Sequence, residues 1–136
     1  MAQRKKMTNK TNLERRMRIL VGDDNPQVRE SLARDLKLRN LEVDLVSNPQ
    51  EVVAKARTGN YDVVVSDLQY TPEGREGYDV LRELQNIRAK KVLYTAQSGF
   101  ESESEALELG VDYFVSAKDA SRLYKLLDEL KGGNRK

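Results

Sequence analysis

Three consecutive valines, Val63-Val64-Val65, constrain the fold of this chain more than any other feature. Successive side chains of an extended segment point to opposite faces, so this strand is apolar on both sides. Such strands are typical of parallel sheets that helices cover on both faces. The run continues into Ser66-Asp67. A carboxylate is therefore expected at the carboxyl end of the strand, where open α/β sheets bind their ligands.

The rest of the chain alternates between short apolar runs and amphipathic helical patterns. Strands are predicted at 18–21, 41–47, 61–68, 91–95 and 111–117, and helices at 26–38, 49–58, 78–88, 101–109 and 119–130. This alternation predicts parallel βαβ crossovers and a doubly wound α/β sheet. We expect one domain at 17–131, a disordered basic arm at 1–16 and a flexible end at 132–136.

The positive charge is concentrated in the arm. Residues 1–18 contain seven Lys or Arg and one acid, whereas the remainder contains 17 Lys or Arg and 21 Asp or Glu. With almost no apolar residues, the arm is expected to be a solvated extension. A contact with nucleic acid or an acidic partner is the alternative for this segment.

Composition excludes several kinds of site. The chain has no cysteine and no histidine, which removes disulfides, thiolate nucleophiles and the commonest zinc ligands. The turn after the first strand, Val21-Gly22-Asp23-Asp24, lacks the glycine pattern of a dinucleotide site, and its acids would repel a pyrophosphate. No apolar run approaches a membrane span and no signal sequence is evident, so we expect a cytoplasmic protein.

Polar residues follow four of the predicted strands. Asp23 and Asp24 follow the first, Asp67 the third, Thr95 the fourth and Lys118 the fifth. Because the carboxyl ends of parallel strands share one edge, these side chains are expected to lie together. If the first and third strands are neighbours, their carboxylates would repel one another unless a cation joined them, and Mg²⁺ prefers such oxygen ligands. The pattern predicts a magnesium site in which Asp67 is the reactive carboxylate.

Four segments of the chain resemble the receiver domain of two-component response regulators. They are ILVGDDNP at 19–26, DVVVSDL at 62–68, YTA at 94–96 and GVDYFVSAK at 110–118. The resemblance covers residues 17–131 and implies a flavodoxin-like (βα)5 sheet with strand order 2-1-3-4-5. It also implies a phosphorylation-dependent signalling switch, not an enzyme acting on a separate substrate.

The resemblance assigns roles to the strand-end residues. Asp67 would accept a phosphoryl group from a phosphohistidine. Asp23, Asp24, Asp67 and the backbone carbonyl of Gln69 would hold Mg²⁺. Thr95 and Lys118 would contact the phosphoryl oxygens.

Further implications concern signalling and partners. Either Tyr113 or Phe114 would be the switch aromatic. A sensor histidine kinase or phosphotransfer protein would donate the phosphoryl group, and a downstream protein would bind the face formed by the fourth helix, fifth strand and fifth helix. A monomer or a phosphorylation-dependent dimer is expected, without membrane or nucleic-acid partners.

The chain departs from the family pattern in three ways. The loop at 68–77 is longer than the usual Asp-Leu-x-Met-Pro turn, and Asp119 follows Lys118 where the family usually has proline. Lys118 also lies one residue beyond the usual register, which Ala117 occupies. A one-residue shift turns a strand side chain to the opposite face, so a bulge near Ser116-Ala117 is expected. These departures motivate an alternative, a pseudo-receiver that binds partners without phosphorylation. A magnesium-dependent phosphatase is a third hypothesis, but the chain offers no evident acid–base partner for it.

Overall fold

In the computed structural model, which describes residues 16–96 and 99–133, the three valines lie in the middle strand of a five-stranded parallel sheet. The strands are β1 (Arg18–Gly22), β2 (Glu42–Val46), β3 (Val63–Ser66), β4 (Lys90–Thr95) and β5 (Tyr113–Ser116). The helices are α1 (Pro26–Leu38), α2 (Pro49–Thr58), α3 (Glu76–Glu83), α4 (Phe100–Glu108) and α5 (Ala120–Gly133). The strand order β2-β1-β3-β4-β5 confirms the predicted doubly wound sheet.

The sheet is buried on both faces, as the valine run predicts. Val63 and Val65 pack with residues of α1 and α5, such as Leu36 and Leu123. Val64 points to the other face and packs with residues of α2 and α3. All three valines are almost completely buried, and burying such a side chain contributes about 1.5–3 kcal/mol. The core therefore holds the carboxyl end of β3 in a fixed position.

Capping side chains set where the helices begin. The Asn25 side chain accepts hydrogen bonds from the backbone N–H groups of Gln27 and Val28, and Pro26 begins α1. Asn48 accepts in the same way from the Glu51 N–H at 2.9 Å. An N-cap of this kind satisfies backbone donors that have no helical partner. At α1 this cap places the acidic pair in the turn just before the helix.

Most elements differ from their predicted bounds by a few residues, and the differences at α3 and β5 have visible causes. α3 begins at Glu76 and ends at Glu83, whereas the apolar stripe predicted a helix to residue 88. The Leu84 N–H is shared between the carbonyls of Val80 and Leu81, which tightens the last turn and ends the helix. β5 begins at Tyr113, not at residue 111, because the Val111 N–H is bonded to α4 through the Ala106 carbonyl.

The predicted arm at 1–16 lies almost wholly outside the described residues, as do residues 134–136. The last helix extends to Gly133, so two residues of the expected flexible end are helical. Of the described helices, none combines the length and apolar character needed to cross a membrane.

Candidate functional site

The acidic residues after β1 and β3 converge at the carboxyl edge of the sheet. β1 and β3 are hydrogen-bonded neighbours with Gly22 opposite Ser66, so the residues that follow each strand are adjacent. One carboxylate oxygen from each of Asp23, Asp24 and Asp67 lies within 4.8 Å of the others. Asp23 is buried, Asp67 is half-buried and Asp24 is exposed. The structure therefore brings the three predicted carboxylates together.

Burial makes this cluster electrostatically unfavourable. It raises the pKa of Asp23 to about 6, and the negative charges of Asp67 and Asp24 act in the same direction. Burial also raises the pKa of Asp67, and the negative charge of Asp24 raises it further. Hydrogen bonds from the Gln69 N–H and the Thr95 hydroxyl lower this pKa, but their effect is smaller than that of burial. Carboxylates held this close ionise fully only when a positive charge joins them.

The residues present fit a magnesium ion. Mg²⁺ takes hard oxygen ligands, commonly a few carboxylates with water completing the shell. Asp23, Asp24 and Asp67 supply three such groups. The backbone of Gln69 lies beside them, since its N–H donates to Asp67 Oδ1 at 3.3 Å. The donor set and the raised pKa of Asp23 both favour a divalent cation at this position.

Thr95 is brought to the cluster by the end of β4. Its side chain is buried, and its hydroxyl donates a hydrogen bond to the Asp67 carboxylate. β4 pairs with β3 so that Leu93 lies opposite Ser66, and Thr95 extends two residues beyond that pair. The hydroxyl therefore lies on the same edge as the Asp67 carboxylate.

Lys118 follows β5, at the carboxyl edge of the sheet. β5 pairs with β4 in one continuous register from Tyr113 to Ser116, without the expected bulge, and Ala117 continues it by donating to the Thr95 carbonyl at 2.9 Å. Lys118 follows in a turn and is exposed. Within the described ranges, its ammonium group forms no ion pair within 4.0 Å.

Comparison with known proteins decides the family. Residues 19–128 match the family model of the response regulator receiver domain, which covers most of the chain. The chain belongs to this family. Receiver domains are phosphorylation-dependent switches of two-component signalling.

Individual relatives agree with this assignment. The transcriptional regulatory protein ResD of Bacillus subtilis is 29% identical over 99 residues, covering 72% of this chain and 40% of ResD. The structure of the response regulator TrrA of Thermotoga maritima, in complex with Mg²⁺ and BeF, has 32% identity and a TM-score of 0.72, covering 84% of this chain and 98% of that one. Chemotaxis protein CheY4 of Vibrio cholerae, at 20% identity and a TM-score of 0.74, shares the fold over 85% of this chain and 98% of its own. The chain spans less than half the length of the curated relatives it matches.

The long loop of this receiver domain is closed by Glu76. One carboxylate oxygen of Glu76 accepts from the Tyr70 N–H at 3.0 Å, and the other accepts from the Thr71 hydroxyl at 2.6 Å. The Thr71 bond is the main reason that the pKa of Glu76 is lowered. A Cβ at Gly77 would lie 2.5 Å from the Asp67 carbonyl oxygen, so only glycine allows α3 to begin this close to β3.

The two candidate switch aromatics occupy different environments. Tyr113 is 36% exposed at the edge of the sheet. Phe114 is half-buried and packs against a cluster that includes Leu68, the residue after Asp67, and Leu93 of β4. Phe114 is thus the aromatic with a packing connection to the acidic edge, although its role stays a prediction.

Two features of the site were missed by sequence reasoning. Arg29 of α1 reaches back over the helix start, and its Nη1 donates to the Asp23 carbonyl at 2.7 Å. Beneath the cluster, the buried hydroxyls of Ser66 and Tyr70 are 2.8 Å apart. The contact of Arg29 could have been suspected from its position in the first turn of the helix that follows the acidic pair. The position of Tyr70 could not have been predicted from the sequence, because this residue lies in an irregular loop.

Proposed function

We propose that this receiver domain is a switch in which Asp67 accepts a phosphoryl group from a phosphohistidine of a sensor kinase or phosphotransfer protein. The observation that carries the proposal is the convergence of Asp23, Asp24 and Asp67, with oxygens within 4.8 Å of one another and the Thr95 hydroxyl on Asp67. A half-buried carboxylate, neighbouring carboxylates that can hold a cation, and a hydroxyl at one sheet edge suit phosphoryl transfer, which depends mainly on positioning and charge stabilisation.

The chemical step forms a bond between an Asp67 carboxylate oxygen and phosphorus. The P–N bond of the phosphohistidine breaks, and its electron pair returns to the imidazole nitrogen. Mg²⁺ held by Asp23, Asp24, Asp67 and the Gln69 carbonyl would neutralise charge on the transferring group. Hydrogen bonds from the Gln69 N–H and the Thr95 hydroxyl orient the Asp67 carboxylate for attack. The chain acts on no separate substrate.

Phosphorylation then changes the contacts of Thr95. A phosphoryl group on Asp67 adds negative charge and acceptor oxygens, so the Thr95 hydroxyl moves its hydrogen bond to one of those oxygens. Because Thr95 precedes the segment that leads into α4, this shift reaches Phe114 and the exposed Leu107 and Tyr113. A downstream protein binds this face of α4, β5 and α5.

A phosphoryl mass adduct tests the proposal directly. The protein is incubated with Mg²⁺ and acetyl phosphate or phosphoramidate, and the intact mass is measured. One adduct is expected on the wild type, and none on Asp67→Asn. Asp62→Asn is a matched control, because Asp62 lies at the opposite end of β3, and it is expected to be modified like the wild type. No adduct on the wild type, or an undiminished one on Asp67→Asn, would refute the proposal.

The exposed position of Lys118 supports a second candidate, the pseudo-receiver that binds partners without phosphorylation. In that case the carboxylate cluster would be a remnant of the fold, and Mg²⁺ would not bind it. A Mg²⁺ titration separates the two candidates: absence of saturable binding favours the interaction module, and binding that Asp67→Asn weakens favours the switch.

A further inference from the structure

The loop between β3 and α3 contains the backbone group that the proposed function assigns to the cation site, the Gln69 carbonyl. This carbonyl shares a peptide unit with the Tyr70 N–H, and no described peptide bond is cis. In a planar trans peptide the C=O and the N–H point in opposite directions. The group that holds the Tyr70 N–H therefore also fixes the direction of the Gln69 carbonyl.

Glu76, the first residue of α3, holds the Tyr70 N–H. Its Oε1 accepts from that N–H at 3.0 Å, so the Gln69 carbonyl points away from the Glu76 carboxylate. A flip of the peptide unit would turn the carbonyl oxygen towards Glu76, where the negative charge on both groups would repel them. The carboxylate therefore favours one of the two orientations of this peptide.

The surrounding loop keeps the Glu76 carboxylate in place. Oε2 accepts from the Thr71 hydroxyl at 2.6 Å, and the Gly74 N–H donates to the Thr71 carbonyl at 3.1 Å, which closes a turn around the carboxylate. A Cβ at Gly74 would overlap both the Glu76 carboxylate and the Thr71 hydroxyl. The glycine therefore leaves the space that the Glu76 side chain occupies.

The Gln69–Tyr70 peptide is also tied to the acidic edge. The Gln69 N–H donates to Asp67 Oδ1 at 3.3 Å. The Tyr70 ring is buried, and its hydroxyl lies 2.8 Å from the Ser66 hydroxyl, which in turn donates to the Asp67 carbonyl at 2.8 Å. These contacts place the peptide beside the carboxylate cluster, and the contact with Glu76 sets its orientation there.

We propose that Glu76 is a positioning residue of the cation site, which directs the Gln69 carbonyl as a ligand for Mg²⁺ by accepting the Tyr70 N–H. Partners of this kind, which contact a ligand and not the metal, commonly change metal affinity by about 10- to 100-fold when they are removed. The assignment rests on the proposed function, because Glu76 has this role only if the carboxylate cluster binds the ion.

Mg²⁺ titrations of matched variants separate the orienting role of Glu76 from the effect of its charge. Affinity is measured from the backbone amide NMR signals, and ligation from the carbon NMR signal of the Gln69 carbonyl. Glu76→Ala removes the acceptor, so it should weaken Mg²⁺ binding about tenfold and abolish the shift of the Gln69 carbonyl signal at saturating Mg²⁺. Gly74→Ala displaces the carboxylate without changing any charge, and it should act in the same direction.

Two further variants serve as controls. Asp79→Ala removes an exposed acid of the same helix, whose carboxylate pairs with Arg82 at 2.8 Å, and its Mg²⁺ affinity should stay within about twofold of wild type because solvent and salt screen this charge. Glu76→Gln keeps a side-chain oxygen as an acceptor for the Tyr70 N–H and should recover most of the lost affinity.

The outcomes distinguish this assignment from the proposed function. Equal weakening in Glu76→Ala and Glu76→Gln with Gly74→Ala unaffected would attribute the effect to charge and overturn the assignment, as would a wild-type Gln69 carbonyl signal that Mg²⁺ leaves unmoved. If Glu76→Ala does not fold, Gly74→Ala and Glu76→Gln decide the question. Wild type that binds Mg²⁺ and acquires the phosphoryl adduct keeps the proposed function in either case, whereas wild type that does neither refutes both.

Discussion

Acidic side chains gather at both ends of the sheet. Among the described residues, a protein cation pairs with those at the amino end, whereas the cluster at the carboxyl end has no such ion pair. At the amino end, Arg18 forms ion pairs with Glu42 at 3.1 Å and Asp44 at 3.4 Å. The Arg18 backbone N–H donates to Asp62 Oδ2 at 2.8 Å, and the guanidinium lies 4.8 Å from the ring centre of Tyr61. The acids there are neutralised by contacts within the chain.

Within residues 16–96 and 99–133, the clustered carboxylates of the carboxyl end form no ion pair within 4.0 Å. Asp23, Asp24 and Asp67 converge, and the nearby Arg29 contacts a backbone carbonyl instead of a carboxylate. Folded chains normally pair buried charges, because an unpaired one is destabilising. The clustered carboxylates at the carboxyl end are the arrangement that the proposed cation site requires, whereas the amino end is part of the scaffold.

The largest expected effect is at the unpaired end. In EDTA at pH 7.5, Asp23→Asn should raise the free energy of unfolding by about 2 kcal/mol, because it removes a buried charge whose pKa is raised to about 6. Urea unfolding measures the change. Asp44→Asn, the matched change at the paired end, should lower the unfolding free energy. Equal effects of the two variants would contradict the distinction between the ends.

The pH dependence of this difference follows from the sign of the Asp23 shift. The pKa of Asp23 is about 6 in the folded protein and 3.8 in an ordinary peptide, so the folded state retains this proton longer. The resulting stabilisation is complete below pH 4 and is lost as pH rises through 6. In EDTA, the stability of wild type relative to Asp23→Asn should therefore fall between pH 4 and 6 and level off above. Parallel curves for the two proteins would show that Asp23 titrates normally.

A smaller effect is expected from breaking the paired end. Arg18→Ala should lower the free energy of unfolding by about 1–2 kcal/mol, since it removes two half-exposed ion pairs and a cation–π contact. The loss should shrink in high salt, which screens the ion pairs. Thermal and urea unfolding at low and high NaCl measure it. Unchanged stability would mean that Arg18 does not organise this end.

The smallest expected effect concerns Tyr61. Its hydroxyl donates to Asp44 at 2.5 Å, and burial together with this bond raises the pKa of Tyr61 to about 12. Tyr61→Phe keeps the ring under Arg18 and removes only the hydroxyl, so it should reduce the unfolding free energy by about 1 kcal/mol. If Tyr61→Phe lowered the free energy of unfolding as much as Arg18→Ala does, the Tyr61 hydroxyl would contribute as much to the stability of this end as the Arg18 guanidinium.

The fold and the acidic cluster could be predicted from the sequence, because they follow from the apolar pattern of the strands and from the shared edge of parallel strand ends. The apolar run Val63-Val64-Val65 requires cover on both faces, and parallel strands place Asp23 and Asp67 at one edge whatever the loops do. Thr95 follows from the same rule. None of these placements depends on the conformation of a single side chain.

The placement of the cationic side chains, Lys118 and Arg29, could not be predicted in this way. The expected bulge before Lys118 is absent, because β5 pairs with β4 in one continuous register and the chain turns at Ala117. The residue spacing shows that Lys118 lies one residue late, but whether a bulge accommodates that residue depends on the backbone pairing of the strands. The contact of Arg29 with the Asp23 carbonyl depends on a side-chain rotamer, and the closing of the loop by Glu76 depends on hydrogen bonds across an irregular segment.

A Mg²⁺ titration followed through backbone amide NMR signals tests the central claim, that the unpaired carboxylates form a cation site, most directly. The account predicts saturable binding, with the largest shifts at Asp23, Asp67 and Gln69, small shifts around Arg18 and weaker binding in Asp67→Asn. Shifts that do not saturate, or that are as large around Arg18 as at the carboxyl end, would contradict it.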